Sequence, residues 1–95
     1  MPEHFFRKEQ LDSIQSFKEK LDNEHHWPSV YMFKFIVPKG KEDEVKQLFP
    51  GKELSTKSSS EGNYISVTAE VFIQSSNEVI QIYQEAHQIK GIISL

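Results

Sequence analysis

The chain has 95 residues, with 11 Lys+Arg against 14 Asp+Glu, a formal charge of -3, 37% apolar and 26% charged residues. That length fits one small domain and leaves no room for a second core, while the apolar fraction is too high for a disordered chain. The acidic balance disfavours nucleic acid and anionic membranes as partners, and the lack of cysteine excludes disulfides, thiolate metal sites and cysteine nucleophiles.

Met1 to Phe6 carries Glu3 and His4 and no apolar run of seven, so no secretory signal is expected and a cytoplasmic protein is. From Arg7 to Asp22, Leu11, Ile14, Phe17 and Leu21 recur at helical spacing among polar residues, which predicts an amphipathic helix ending near Asn23. Glu24 to Pro28 reads as a connector, with Trp27 at the edge of a core. Ser29 to Val37 is a predicted strand with Tyr31, Phe33, Phe35 and Val37 on one face and Val30, Met32, Lys34 and Ile36 on the other. The longest apolar stretch, Tyr31 to Val37, is broken by Lys34 and falls far short of the roughly 18 to 20 residues that span a bilayer.

Pro38-Lys39-Gly40 ends the strand, and Lys41 to Phe49 is a predicted short helix with Glu42, Asp43 and Glu44 in its first turn, burying Val45, Leu48 and Phe49. Pro50-Gly51 stops it. Glu53 to Ser60, with Leu54 as its one large apolar residue, suits a solvent-lapped edge strand guarded by Lys52 and Lys57. After a turn at Glu61-Gly62-Asn63, Tyr64 to Ile73 alternates cleanly between Ile65, Val67, Ala69, Val71, Ile73 and Tyr64, Ser66, Thr68, Glu70, Phe72. Ser75 and Glu78 have capping-box spacing before a helix carrying Val79, Ile82, Tyr83, Ala86 and Ile89, Gly91 fits its C-terminal cap, and Ile92 to Leu95 is a last short strand.

The order is helix, then β-α-β-β-α-β, which predicts an α+β fold. It is the ferredoxin-like sandwich, a four-stranded antiparallel sheet in order 4-1-3-2, with an additional N-terminal helix. Residues 1–28 form the helix and connector and 29–95 the ferredoxin-like domain. Helix packing takes the Phe33 and Val67 faces of the central strands. The second face is half apolar, and either the N-terminal helix or another copy of the chain is expected to cover it.

Three segments carry a family resemblance. Trp27-Pro28 with the strand Tyr31-Met32-Phe33-Lys34-Phe35-Ile36-Val37, the stretch Ser59-Ser60-Glu61-Gly62-Asn63-Tyr64-Ile65-Ser66-Val67, and the ending Val79…Ile82-Tyr83…Ile89…Gly91 together resemble the YbeD-like bacterial family, domain of unknown function 493. The resemblance covers roughly residues 21 to 95, and Ser-x-x-Gly-x-Tyr-x-Ser is its most specific part. It implies a ferredoxin-like fold similar to the ACT regulatory domains, which sense small molecules such as amino acids.

Signals for chemistry are sparse. His25 and His26 are adjacent, so they diverge on any regular element, and no third ligand stands at helical spacing; no metal site and no cofactor are expected. The acidic cluster Glu42, Asp43, Glu44 is accounted for by the helix dipole, and Ser58, Ser59 and Ser60 lack a base or strained elbow. Lys39-Gly40-Lys41 before a helix reads as an ordinary loop, with an anion-binding turn as the sharper alternative. An RNA-recognition surface on the third strand is disfavoured by Glu61 and Glu70. Lys34 leaves two readings open: a charge pair with Glu70 across the central strands, or a polar patch with Gly62, Tyr64, Ser66 and Thr68 that contacts an anionic ligand or partner protein. The expectation is a non-enzymatic regulatory or protein-interaction domain, with self-association or a protein partner. The alternative is an ACT-like sensor of an amino acid or other small anion.

Overall fold

The computed structural model describes residues 8–95, with side chains inside the first helix from residue 13 onward. The elements are α1 (Lys8–Glu24), β1 (Ser29–Pro38), α2 (Glu42–Lys46), β2 (Ser55–Ser58), β3 (Tyr64–Ile73), α3 (Ser76–Ala86) and β4 (Ile93–Ser94). Met1 to Arg7, including His4, and the Leu11 side chain lie outside the described residues. The strands form one antiparallel sheet in order β2-β3-β1-β4, which is the expected order read from the opposite edge.

β1 and β3 pair over ten residues, from Ser29 opposite Ile73 to Pro38 opposite Tyr64. Period-2 alternation then sends Phe33, Phe35 and Val37 with Ile65, Val67, Ala69, Val71 and Ile73 to the helix side, where all are buried. Val45, Phe49, Val79, Ile80, Ala86 and Ile89 complete that core. Phe33 is at its centre, with ring centroids 5.2 Å from Phe49 and 5.3 Å from Tyr83.

Several boundaries differ from expectation. α2 stops at Lys46 with Gln47 as its C-cap, so Phe49 is buried by the following turns and not by a helical stripe. β2 keeps four of the eight expected residues, all exposed. Ser75 is the N-cap of α3, but its hydroxyl makes no capping bond and Glu78 N–H bonds the Ser75 carbonyl instead. α3 ends at Ala86 with His87 as C-cap, and Ile89 is buried from the next turn. Gly91 is therefore not the helix cap. It stands at φ +80 just before β4, where a Cβ would lie 2.8 Å from Pro38 Cγ.

α1 supplies the main correction. Of the two coverings expected for the open sheet face, the chain's own helix is not one, because α1 lies on the helix side beside α3. Leu21 is buried in the core, Ile14 and Phe17 pack against it, and the Phe17 ring is 5.8 Å from Tyr83. At its C-terminal end Lys18 Nζ donates to Ser76 Oγ (2.9 Å) and to Asp22 Oδ2 (3.1 Å), while Trp27 Nε1 donates to Asp22 Oδ1 (2.9 Å). Contacts from Ser76 first, then Trp27 and Lys18, hold the Asp22 carboxyl below its ordinary range.

Candidate functional site

The face of the sheet opposite the helices can be read as a grid. Along β1 it carries Val30, Met32, Lys34 and Ile36, and the register puts Phe72, Glu70, Thr68 and Ser66 of β3 directly opposite them. On the outer flank of β3, Ser55 of β2 faces Thr68 and Lys57 faces Ser66. On the other flank Ile93 of β4 faces Ile36, and Leu95 donates its N–H to the Lys34 carbonyl at 2.9 Å. Pro38 and Tyr64 close one end.

Exposure singles this face out. The exposed large hydrophobics among the described residues are Val30 (59%), Met32 (58%), Tyr64 (48%), Phe72 (55%), Ile93 (52%) and Leu95 (63%); the first five project from it, and Leu95 lines the cleft on the helix side. The apolar part follows β4, β1 and the Phe72 end, and Thr68, Ser66, Ser55 and Lys57 make the opposite corner polar. Concentration of exposed apolar side chains on one face marks a contact surface, whereas single ones scattered over a surface need no explanation.

The expected site residues are only partly brought together. Lys34 stands directly beside Thr68, with Ser66 one step away diagonally. Tyr64 is at the far end opposite Pro38, and Gly62 lies in the β2–β3 turn (φ +76), where its N–H bonds the Ser59 carbonyl. The Lys34–Glu70 pair is corrected by the register. Glu70 is opposite Met32, diagonal to Lys34, and among the described residues no ion pair joins them. A register shift of two residues between the central strands keeps every side chain on its face and turns a facing pair into a diagonal one. Sequence reasoning missed Ile93, because a strand as short as Ile93–Ser94 has no assignable face until its register is known.

A second feature lies on the helix side. A cleft of about 610 Å³ opens between α1, α3 and the β4 edge, lined by Ile14, Phe17, Tyr31, Ile80, Tyr83 and His87 among others. Inside it the Tyr31 and Tyr83 hydroxyls share a hydrogen bond at 3.2 Å, and His87 Nε2 is 3.4 Å from Ser94 Oγ. Burial foremost, then the bond to Tyr31, pushes the Tyr83 hydroxyl pKa upward, so the group stays neutral well above pH 10.

The remaining candidates take structural roles. Gly40 N–H donates to the Glu42 carboxylate at 2.6 Å, so the donor an anion would use at Lys39-Gly40-Lys41 is already occupied. Ser59 Oγ accepts from Tyr64 N–H (3.3 Å) in the hairpin turn. The His25 ring stacks on Trp27 at 5.0 Å. Among the described residues no group of three His, Asp or Glu side chains is placed to hold a metal ion, and no helix is long and apolar enough to cross a membrane.

Comparison with known proteins gives one match. A family model described as "Protein of unknown function (DUF493)" matches residues 22–95, from the end of α1 through β4. No curated protein and no solved structure matches the chain.

Proposed function

Since the chain belongs to the DUF493 family, which carries a fold but no activity to inherit, we propose from its own surface that it is a non-enzymatic regulatory module that works by docking a protein on its open sheet face. One observation carries this reading: five of the six exposed large hydrophobics among the described residues lie on that face. Each is about half exposed, so leaving it in water forfeits roughly half of the ~1.5–3 kcal/mol that burying a whole side chain supplies. A sheet face with apolar residues around a few charges has the make-up of an interface, with an apolar centre and a polar rim on the Thr68, Ser66 and Lys57 side.

Photo-crosslinking from a benzoylphenylalanine placed at Met32 tests the docking. A discrete protein adduct is expected from Met32, and none from the same residue at Gln81, which is exposed on α3. Equal labelling from both positions, or none from either, would overturn the reading.

The helix-side cleft supports a second reading, a regulatory sensor of a small amphiphile such as an apolar amino acid. Its aromatic and aliphatic walls converge on the Tyr31–Tyr83 hydroxyl pair, the arrangement of an apolar pocket with a few orienting polar groups. A ligand that enters it raises the unfolding midpoint of the native chain and loses that effect in Tyr83→Phe. Equal shifts in both proteins place the ligand elsewhere.

A further inference from the structure

The open face is also charged in a self-complementary way. Lys34 and Glu70 are both exposed, both on the two central strands, and diagonal to each other without an ion pair among the described residues. Diagonal neighbours have Cβ atoms about 7–8 Å apart, so each charge is left with unused capacity directed away from the sheet. Opposite charges bordering the apolar part of the face are costly for a partner that covers them and brings no complementary charge. The partner that carries a matching pair at matching spacing is a second copy of the same face.

We infer that the open face is a two-fold interface between copies of this chain, in which Lys34 of one protomer pairs with Glu70 of the other and Glu70 with Lys34. The inference rests on the docking reading above and names its partner.

Symmetry fixes the rest of the contact. Two sheets related face to face by a two-fold must have the axis in the plane between them, and such an axis acts on the face as a mirror line. With strands ~4.8 Å apart and same-face residues ~6.8 Å apart along a strand, the line that exchanges Lys34 and Glu70 passes roughly 1–2 Å from both Met32 and Thr68. Met32 therefore meets its own copy, as does Thr68. The strands of the two sheets cross at about 70°, near the orthogonal class of sheet packing. A face ~19 Å wide and ~27 Å long gives on the order of 500 Å² in plan. With side chains standing off it, that approaches the ~800 Å² per partner of a standard stable interface.

Charge reversal with mixing tests the pairing. Lys34→Glu has two glutamates at these positions and Glu70→Lys has two lysines, so each repels its own copy and complements the other. By light scattering over a concentration series, the unaltered chain is expected at twice its 11.1 kDa. Each variant alone dimerises at least tenfold more weakly, and the equimolar mixture returns to the dimer mass. Far-UV circular dichroism confirms that each variant is folded. Variants that dimerise as well as the unaltered chain, or a mixture that stays monomeric, would overturn the pairing. A chain that is monomeric to about 0.5 mM, well above the micromolar Kd of even a weak standard-size interface, overturns self-association. If Met32 still crosslinks a different protein, the docking reading survives that outcome; if Met32 crosslinks nothing, both fail.

Discussion

At the scale of single residues, two contacts make claims that substitution can check. Gly91 has φ +80, and a Cβ added there would meet Pro38 Cγ at 2.8 Å, so the glycine serves both the backbone turn and the close passage of that turn over the end of β1. Gly91→Ala is expected to cost about 1–3 kcal/mol, read as a lower urea midpoint. Adding Pro38→Ala removes the clash and leaves the left-handed backbone, so the double variant should recover part of the loss. Additive losses would show that the two residues do not touch. The Tyr83 hydroxyl gives a pH dependence. Its folded pKa is raised above the ordinary value near 10, by burial first, so the folded state holds this proton more tightly than the unfolded chain. Its stabilising contribution is complete below pH 10 and is lost as pH rises further. Urea midpoints taken at about pH 8 and about pH 10.5 should fall less in Tyr83→Phe than in the unaltered chain. An equal fall in both would remove Tyr83 as the source.

At the scale of elements, α1 is the piece whose placement matters most, because it packs beside α3 and leaves the sheet face open. Leu21 anchors it in the core, so Leu21→Ala should cost about 2–5 kcal/mol in denaturant unfolding, while exposed Gln15→Ala should change stability by less than about 0.5 kcal/mol. If the two substitutions were equivalent, α1 would not be docked as described. The apolar stripe of α1, the alternation of β1 and β3 and the helical period of α3 were all legible in the sequence, since each repeats over three or more turns or pleats. Less legible were features decided by one or two contacts. The end of α3 at Ala86 depends on turns that bury Ile89, and the helical period continues through Ile89 regardless. Which side α1 takes was open because its stripe suits either surface, and the aromatic wall of Tyr31, Phe33 and Tyr83 becomes visible only once the strands are paired. The partner of Lys34 was misread for a related reason. Alternation assigns a residue to a face, and only register says which residue stands across from it.

At the scale of the whole molecule, the fold has two unlike sides: helices sealing one sheet face around Phe33 and Phe35, and a second face left apolar in the open. A chain this small gains stability mainly from burial, and retaining, among the described residues, five exposed large hydrophobics on one surface runs against that unless the surface is covered in use. The proposed two-fold makes a positional prediction that needs no knowledge of affinity. The native chain has no cysteine, so a single introduced thiol is the only one in each protomer. Packed sheets are ~10 Å apart, too far for a direct disulfide, whose Cα atoms stand about 4.4–6.8 Å apart, but within reach of a short bismaleimide. Met32→Cys and Thr68→Cys lie next to the axis and should link to their own copies quickly. Ile36→Cys is carried by the axis to the far edge of the partner and should link slowly, with Gln81→Cys on the helix side as the background. Rates read from the dimer band on a denaturing gel then map the axis. Equal rates at Met32 and Gln81 would place the contact between copies somewhere other than this face. A maximum at Ile36 would keep the face and move the axis toward β4, separating Lys34 from Glu70.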